Sequence, residues 1–308
     1  MPARLFQSSG DLMADRRYEF ARDLQLKGYL AAAADLLLQA IELAPKFASA
    51  WFSLGQIRRQ LGEREAAVAA FRNAHAADPE DRHGASLHLM RLGAEDIAAM
   101  PSAYVQTLFD QYAPRFEAAL VGELGYRGPD LLFKAVLSAR VGAKKPAFFK
   151  RAIDLGCGTG LAAAAFSRNV DRLIGIDLSP RMIEKSRATG LYAGLEVDDM
   201  LRGLRSKPDA SAELILAADA FVYVADLAPV LAEANRVLTA GGLLAFTTET
   251  HAGEAVILGK GLRYAHSAPF VRASVEAAGL KLSLLENLSA RNEDNVPAPG
   301  LVAVAAKT

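Results

Sequence analysis

The sequence is poor in side chains that form cross-links or bind metals. Among its 308 residues there are one cysteine, Cys157, and five histidines. One cysteine cannot build an internal disulfide framework or a thiolate zinc site, because both need several cysteines. A His-Glu-x-x-His sequence is also missing, and with it the signature of one large class of zinc enzymes. We therefore expect no metal.

Long apolar runs and an excess of one charge are missing as well. No apolar run approaches the ~18 to 20 residues of a membrane helix, and Arg4, Asp11 and Asp15 interrupt the region where a signal peptide would be apolar. A cytoplasmic protein without a membrane segment is expected. Lys and Arg total 35 against 35 Asp and Glu. Zero net charge supplies no basic field for nucleic acid, which disfavours nucleic acid as a partner.

The first hundred residues contain an internal repeat of 34 residues. The recurring residues are Gly28, Ala33, Leu37, Ala40 and Pro45, which return as Gly62, Ala67, Phe71, Ala74 and Pro79. Small residues let the two helices of a unit approach closely, and the prolines end its second helix. The pattern predicts two helical hairpins. Because two such units do not bury a stable stack, a capping helix is expected over 82–100.

The second copy resembles a tetratricopeptide repeat (TPR). Its first helix has Trp51, Leu54 and Gly55 at the family spacing, whereas Arg58 stands where the family usually has tyrosine. The resemblance implies a partner-binding face. The alternative is a packing or dimerisation module for the domain that follows, and both interpretations stay open.

From Pro101 onward, segments rich in Ile, Leu and Val alternate with helical segments. Strands are predicted at 151–155, 172–176, 194–198, 212–218, 241–248, 281–287 and 300–306. Helices are predicted at 103–122, 129–141, 160–168, 179–188, 226–238 and 268–278. This alternation predicts an α/β domain with a largely parallel sheet.

The division into domains follows from these patterns. We expect a TPR-like domain over 1–100 and an α/β domain over 101–308. Within the second domain, 101–145 should form lid helices and 146–308 the core. A turn joining two antiparallel edge strands is expected between Ser289 and Gly300.

A glycine-rich loop follows the first predicted strand. Residues 154–160 read Asp-Leu-Gly-Cys-Gly-Thr-Gly, so a strand ends in a carboxylate and glycines open onto a helix. Glycines let a ligand approach the backbone, and amides at a helix start favour electron-rich groups. A dinucleotide-binding fingerprint would need a third glycine at position 161, which is leucine. The spacing therefore argues against that fingerprint.

The order Asp-x-Gly-x-Gly-x-Gly resembles motif I of class I S-adenosylmethionine (SAM) dependent methyltransferases. Three later segments resemble the motifs that follow it, with Asp177 after the second strand, Asp198 and Asp199 after the third, and Asp219 after the fourth. The whole chain is similar to a bacterial family of predicted methyltransferases with N-terminal TPR repeats. The resemblance implies a Rossmann-like seven-stranded sheet that binds SAM and releases S-adenosylhomocysteine.

The resemblance also implies roles for single residues. Asp177 would bind both ribose hydroxyls, with capping of the next helix as its alternative. Asp199 would accept from the adenine amino group and the Met200 amide would donate to the ring, with Asp198 as the alternative to Asp199. Cys157 is interpreted as a small loop residue and not as a nucleophile. The implied cofactor-binding residues are Asp154, Gly156, Gly158, Gly160, Asp177, Leu178, Asp199, Met200, Ala218 and Asp219.

The segment before motif I resembles the lid helix of small-molecule methyltransferases of the ubiquinone-biosynthesis type. Phe109, Tyr112 and Phe116 fall on one helical face, where they line the pocket or simply pack the helix. The remaining substrate or lid candidates are Tyr126, Tyr223 and Arg263, of which Arg263 could orient an anionic substrate.

Methyl transfer to a hydroxyl or an amine requires removal of a proton. His266 is the predicted general base, because neutral imidazole is suited to this near pH 7, and Tyr264 and Glu249 are the other catalytic candidates. The alternative is that Ser267 caps the next helix and its neighbours are structural.

The resulting prediction is a SAM-dependent methyltransferase that methylates oxygen or nitrogen of a small molecule. Its TPR repeats would bind a protein partner or mediate self-association. The alternative is a TPR interaction protein whose methyltransferase domain binds SAM with little or no turnover.

Overall fold

A computed structural model of the chain describes residues 5–293 and 295–308, apart from the side chains of residues 119, 121 and 123. The chain divides into two compact units, one ending at Thr107 and the other beginning at Leu108. Within the described residues, no helix is long and apolar enough to cross a membrane.

The first unit consists of two helical hairpins and a final short helix. Its helices are α1 (Leu12–Leu26), α2 (Leu30–Leu43), α3 (Ala48–Gln60), α4 (Arg64–Ala77) and α5 (Ala85–Arg91). The carboxylate of Asp11 begins α1 by accepting from the amides of Met13 at 2.8 Å and Ala14 at 2.9 Å. These bonds satisfy two donors that a helix start leaves unpaired. The small all-α domain expected at the N-terminus is confirmed, and α5 occupies the place of the expected capping helix.

The repeated residues meet in the interior of the hairpins. Phe71 of α4 is fully buried, and a Cβ built on Gly55 of α3 would lie 2.8 Å from its ring. The His88 ring of α5 stacks on the same phenylalanine, with 4.7 Å between centroids. The close approach of α3 to α4 therefore depends on the missing side chain at Gly55.

The second unit is built on a mostly parallel sheet. The strands are β1 (Phe149–Leu155), β2 (Val170–Asp177), β3 (Gly194–Val197), β4 (Ala212–Ala217), β5 (Leu238–Glu249), β6 (Val256–Leu258), β7 (Tyr264–His266), β8 (Leu280–Asn287), β9 (Asn292–Glu293), β10 (Val296–Pro297) and β11 (Gly300–Lys307). Seven of them follow one another in the order β3-β2-β1-β4-β5-β11-β8, and β6 and β7 branch from β5. The pairs from β3 to β5 are parallel, whereas β11 is antiparallel to both β5 and β8. The predicted α/β fold class with a Rossmann-like sheet is confirmed.

Alternation along the strands gives this sheet two apolar faces. Ile153 of β1 packs in a cluster with Val230 and Val271, whereas the preceding Ala152 packs with Leu132 in a second cluster. Successive strand residues point to opposite faces, so helices cover both sides. The helices that follow α5 are α6 (Ser102–Tyr112), α7 (Gly128–Gly142), α8 (Leu161–Phe166), α9 (Pro180–Thr189), α10 (Met200–Arg205), α11 (Ala228–Val237) and α12 (Ala268–Ala277).

One predicted helix is shorter in the structure. A helix was expected over 103–122, but α6 ends at Tyr112 and is followed by a 3-10 turn at Ala113–Arg115 and a π-helical turn at Ala118–Glu123. Pro114 has no amide hydrogen and disfavours helical backbone in the residue before it. The helix therefore cannot continue unchanged through this position. The short elements α10, β6 and β7 were not predicted, because so few residues carry no clear periodicity.

The segment between β8 and β11 has more structure than the expected turn. It does join these two antiparallel strands, but it also contains β9 and β10, which pair with each other as a separate two-stranded sheet. Asp294 of this segment lies outside the described residues.

Gly55→Ala is expected to destabilise the first unit by about 1–3 kcal/mol, because the added methyl group would overlap the Phe71 ring. Gly142→Ala is the matched control, since no atom lies within 4 Å of a Cβ built on that helical glycine. The control should be neutral or slightly stabilising. Urea unfolding followed by circular dichroism measures both variants, and equal effects would contradict the close contact.

Candidate functional site

The candidate site lies where β1, β2 and β4 end. The glycine loop, residues 156–160, turns sharply after β1 with φ of +66°, +54° and +96° at its three glycines, angles that other residues rarely adopt. A Cβ on Gly156 would lie 2.8 Å from the Cβ of Ala220 in the loop after β4. The two loops therefore touch without space for a side chain between them.

Asp177 fastens the glycine loop to the end of β2. Its Oδ2 accepts from the Gly158 amide at 2.8 Å and its Oδ1 from the Ser179 amide at 2.8 Å. The side chain is buried, and burial raises the pKa of Asp177 to about 6 against the opposing effect of these two amides. Ser179 is the residue that caps α9, through a bond from the Met182 amide to its hydroxyl. The capping role considered for Asp177 thus falls to Ser179.

Asp154 is a buried carboxylate at the end of β1. Tyr192 donates its hydroxyl hydrogen to Oδ2 at 2.7 Å, and Oδ1 has no hydrogen-bond partner among the described residues. Burial raises the pKa of Asp154 to about 7, the Tyr192 bond opposes this shift, and the charge of Asp177 adds to it. A buried, unsatisfied carboxylate is costly for folding. The fold therefore keeps Oδ1 of Asp154 buried although no described residue donates a hydrogen bond to it.

Two adjacent carboxylates follow β3 and have different partners. Asp199 caps α10, with Oδ1 accepting from the amides of Leu201 at 2.9 Å and Arg202 at 3.3 Å. Asp198 pairs with the Arg202 guanidinium and accepts from the Asp199 amide. The Met200 amide lies in the first turn of α10, where amides have no carbonyl partner within the helix. Oδ2 of Asp199 and this amide are thus the groups best placed to meet a ligand here.

Aromatic rings from the segment before β1 form a cluster with a residue after β4. Phe109 contacts Phe116 and Tyr223, with centroids 6.1 Å and 5.3 Å away, and Tyr112 contacts Phe116 at 5.5 Å. All three contacts are edge-to-face, a preferred arrangement of aromatic pairs. Phe116 also lies 3.8 Å from a Cβ built on Gly158. The structure therefore brings four predicted lid residues, the lid cluster, together beside the glycine loop.

Hydrogen bonds of Asp110, which no sequence motif predicted, attach the end of α6 to the start of α9. Oδ1 of Asp110 accepts from the Ser179 hydroxyl at 2.5 Å and from the Arg181 amide at 3.4 Å. The Arg181 guanidinium also donates to the Asp110 carbonyl at 3.2 Å. Because Ser179 follows Asp177 by two residues, the lid segment is anchored next to that carboxylate.

An ion cluster around the buried Arg291 lies at the ends of β4 and β5. Nη1 of Arg291 donates to both carboxylate oxygens of Asp219, one of them at 2.6 Å, and its Nη2 donates to Glu249. Burial alone would lower the pKa of Arg291, but the charges of Asp219 and Glu249 outweigh it and raise that pKa. Arg263 pairs with Glu249 at 2.5 Å and also with Glu293. Two guanidinium groups and three carboxylates thus largely neutralise one another in this Arg291 cluster.

Arg291 was not predicted, because its segment reads as an edge turn. The Asn292 amide donates to the Leu124 carbonyl and the Arg127 amide to the Ala290 carbonyl, both at 2.8 Å. These bonds tie the segment of Arg291 to the lid segment around Tyr126. Burial and the charge of Asp219 raise the pKa of Tyr126 well above its ordinary value.

Asp219 holds a strained backbone conformation. Its φ is +57°, in a region sparsely populated by residues other than glycine, and its amide donates to the Thr247 hydroxyl at 2.8 Å. The ion pair with Arg291 adds a second restraint. Two other predicted cofactor-binding residues, Ala218 beside Asp219 and Leu178 beside Asp177, are half-buried.

His266 lacks the free lone pair that a general base needs. It is fully buried, its Nε2 lies 2.9 Å from the Val224 carbonyl oxygen, and its Nδ1 lies 2.7 Å from the Thr248 hydroxyl. A carbonyl only accepts, so Nε2 carries the hydrogen and Nδ1 accepts from Thr248. Burial also lowers the pKa of His266 to about 4. These contacts argue against the predicted proton-removing role.

The other predicted catalytic residues are also engaged or inaccessible. Tyr264 is fully buried, and burial raises its pKa to about 12. Glu249 belongs to the Arg291 cluster. Ser267 caps α12 by accepting from the Phe270 amide, which is the structural alternative considered for this segment.

Cys157 is buried within the glycine loop, with Sγ 3.8 Å from the Ser186 hydroxyl oxygen. Burial raises the pKa of its thiol, which disfavours the nucleophilic thiolate. Over residues 5–293 and 295–308, no group of three or more His, Cys, Asp or Glu is arranged to hold a metal ion.

Comparison with known proteins finds a family match within each of the two units. Residues 153–246 match the family described as a methyltransferase domain. The chain contains a methyltransferase domain. Residues 48–81 match the tetratricopeptide repeat family, so both resemblances read from the sequence are confirmed.

One curated relative is the ubiquinone biosynthesis O-methyltransferase of Xylella fastidiosa (strain 9a5c). The two chains are 28% identical over 140 residues, which cover 44% of this chain and 57% of the relative. The chain therefore matches little more than half the length of that relative.

Two solved structures share the fold. The [4+2]-cyclase SpnF is 20% identical with a TM-score of 0.55, covering 69% of this chain and 99% of the cyclase. The 1,6-didemethyltoxoflavin-N1-methyltransferase of Burkholderia thailandensis is 16% identical with a TM-score of 0.51, covering 70% and 93%, and its structure contains 1,6-didemethyltoxoflavin and S-adenosylhomocysteine. The two neighbours are named for different reactions, so the methyltransferase fold does not by itself fix the chemistry.

Asp154→Asn is expected to stabilise the ligand-free protein at about pH 8, by up to about 4 kcal/mol. The pKa of Asp154 is about 7 in the fold against 3.8 ordinarily, so the folded chain binds this proton more tightly than the unfolded chain does. The resulting destabilisation of the wild type grows as the pH rises between these values and is complete above the higher one.

Thermal unfolding over this pH range measures the difference in Tm between variant and wild type. The gap should shrink steadily as the pH falls toward about 4. Asp171→Asn, an exposed carboxylate of β2, is the control and should show no comparable trend. A pH-independent gap for Asp154→Asn would contradict the buried, destabilising carboxylate.

Proposed function

We propose that the chain is a SAM-dependent methyltransferase that transfers a methyl group to oxygen or nitrogen of a small molecule. The observation that carries this proposal is the hydrogen bond of 2.8 Å from the Gly158 amide to the Asp177 carboxylate, beside the buried Asp154. It brings a glycine loop and two strand-end carboxylates into one small volume. In α/β sheets this edge, outside the carboxyl ends of parallel strands, is where ligands bind.

The residues at this edge fit the cofactor. Oδ1 of Asp154 is buried without a hydrogen-bond partner among the described residues. Each oxygen of Asp177 accepts one amide and keeps a second lone pair, enough for two ribose hydroxyls. Asp199 and the Met200 amide would hold the adenine. The residues proposed to complete the cofactor site are Gly156, Gly158, Gly160, Leu178, Ala218 and Asp219.

The chain's own contribution to the reaction is binding and orientation. Bound SAM supplies a methyl group on a positively charged sulfur. The carboxylates after β1, β2 and β3 would hold the cofactor, and the lid cluster would cover the acceptor and exclude water. Because His266, Tyr264 and Glu249 are buried or paired, we propose that acceptor methylation relies on alignment and that none of these three residues takes the acceptor's proton. The proton of the acceptor hydroxyl or amine would then be released to solvent water, while the methyl group leaves the sulfur of SAM and S-adenosylhomocysteine is formed.

The acceptor that fits this site best is a small, uncharged aromatic molecule. The lid cluster offers four rings for apolar and edge-to-face contacts. Arg263, considered as an anchor for an anionic substrate, pairs with Glu249 and Glu293, so its charge is already compensated. The name of the Xylella relative supports a small-molecule acceptor.

The second candidate function is a TPR interaction protein whose methyltransferase domain binds SAM without turnover. The engaged state of His266 and Glu249 favours it, because neither is free to take a proton. In both candidates the first unit would bind a protein partner or a second copy of the chain.

Asp177→Ala is expected to weaken SAM binding by about 10- to 100-fold, because hydrogen bonds to a charged group are lost. Isothermal titration with SAM and with S-adenosylhomocysteine measures this. Asp171→Ala removes an exposed carboxylate of the same strand and should bind like the wild type. If the wild type binds neither compound, the cofactor assignment fails.

Label transfer separates the two candidate functions. Incubation with methyl-labelled SAM and cell extract should label a small molecule with the wild type and not with Asp177→Ala, and mass spectrometry would identify the product. Phe116→Ala should raise the KM for that acceptor more than it changes SAM affinity, because the ring belongs to the lid cluster. SAM binding without transfer to any extract would favour the interaction protein.

A further inference from the structure

The opposite end of the sheet carries a basic cleft. It has a volume of about 460 Å³, within the range of small-molecule sites, and lies between the end of α7, the start of β5 and the end of β11. Its charged side chains are Arg140, Lys145 and Lys307, and the described residues that line it include no aspartate or glutamate. This basic cleft is separate from the proposed cofactor site, which lies at the other end of β5.

Arg140 is the buried member of this group. Only 8% of it is exposed, and its Cζ lies 4.4 Å from the centroid of the Phe149 ring. Its Nε is buried with no hydrogen-bond partner among the described residues, and its Nη1 reaches the Gly241 carbonyl only at 3.5 Å. The carboxylate whose charge acts on Arg140 is that of Glu213, which accepts from the Lys150 amide at 2.7 Å. Arg140 thus lines the cleft with a guanidinium whose Nε no described residue satisfies.

The two lysines have backbone groups as neighbours. Nζ of Lys145 lies against the backbone at Gly241, where a built Cβ would be 2.5 Å from it. Nζ of Lys307 donates to the carbonyls of Leu238 at 2.8 Å and Arg236 at 3.4 Å. Carbonyl oxygens satisfy donors but do not cancel a positive charge. Within the described chain, no side-chain carboxylate lies within ion-pair distance of Arg140, Lys145 or Lys307, and Glu213 acts on Arg140 only from beyond that distance. Three positive charges without an ion-pair partner therefore line one cleft.

We propose that the basic cleft binds the phosphate group of a small molecule. A guanidinium and two ammonium groups provide the directed donors and the charge that a dianion requires. The cleft is roomier than a bare phosphate needs, and its apolar lining would receive the rest of the ligand. The apolar lining residues are Ala139, Ala143, Ala240, Leu243 and Ala306.

Titration of the full-length chain tests this proposal, with inorganic phosphate and glucose 6-phosphate in separate arms at constant ionic strength set by sodium chloride. Both should bind the wild type, and Lys145→Gln should raise each Kd by about 10-fold or more, because one charge-assisted contact is lost. Lys150→Gln is the matched control, since it removes another exposed lysine that does not line the cleft. Its Kd values should equal those of the wild type.

The two arms identify the source of the phosphate. Tighter binding of glucose 6-phosphate points to a phosphorylated small molecule, and equal binding points to free phosphate. The proposal is overturned if the wild type binds neither compound, or if Lys145→Gln and Lys150→Gln behave alike. Lys145 is exposed, so its replacement should not impair folding. SAM titration of Lys145→Gln should match the wild type, which separates a failure of this site from a failure of the cofactor site.

Discussion

The hydrogen bond between the Gly158 amide and the Asp177 carboxylate is the contact on which the candidate site depends. It joins the loop after β1 to the end of β2, so neither element can move alone. The contact of Gly156 with Ala220 then fixes the same loop against the residues after β4. Because Asp177 is buried, the amides that hold the loop are also the groups that help keep its carboxylate ionised. The same hydrogen bonds therefore fix the loop geometry and stabilise the charge of Asp177. Ser179 connects the lid segment to this carboxylate, because its amide donates to Asp177 and its hydroxyl donates to Asp110.

Zero net charge conceals a strong sorting of charge within the second unit. Buried carboxylates without cationic partners among the described residues collect at the carboxyl ends of the parallel strands, as Asp154 and Asp177 show. Cations without an ion-pair partner among the described residues collect at the other end of β5, where the basic cleft lies. Between these extremes the Arg291 cluster pairs two guanidinium groups with three carboxylates and keeps one net negative charge. Burial of a charge without an ion-pair partner destabilises the fold, both at the strand-end carboxylates and at Arg140 of the basic cleft. A ligand of the opposite charge could reduce this destabilisation.

The sequence predicted those parts of the site that lie within short, continuous segments of the chain. The glycine loop and the strand-end carboxylates are signalled by short motifs, and the strands by their apolar runs. Contacts between distant residues gave no such signal: Tyr192 meets Asp154 across 38 residues, and Arg291 meets Asp219 across 72. His266 shows the converse limit of local sequence, because the chemistry of imidazole suggested a base, whereas tertiary packing places both ring nitrogens in hydrogen bonds. Residue type and spacing cannot report burial of that kind.

The place of β11 in the sheet has a consequence for how the protein is made. This strand, Gly300–Lys307, follows all the others in the chain, yet it lies between β5 and β8. On the ribosome, β8 therefore emerges before the strand that it must pair with, and the edge of β5, which is made earlier still, stays open for longer. The helical hairpins of the first unit contact near neighbours in sequence and can fold early. Aggregation risk is thus concentrated in the interval before β11 is made, when a folded helical unit is tethered to a sheet that still lacks one inner strand.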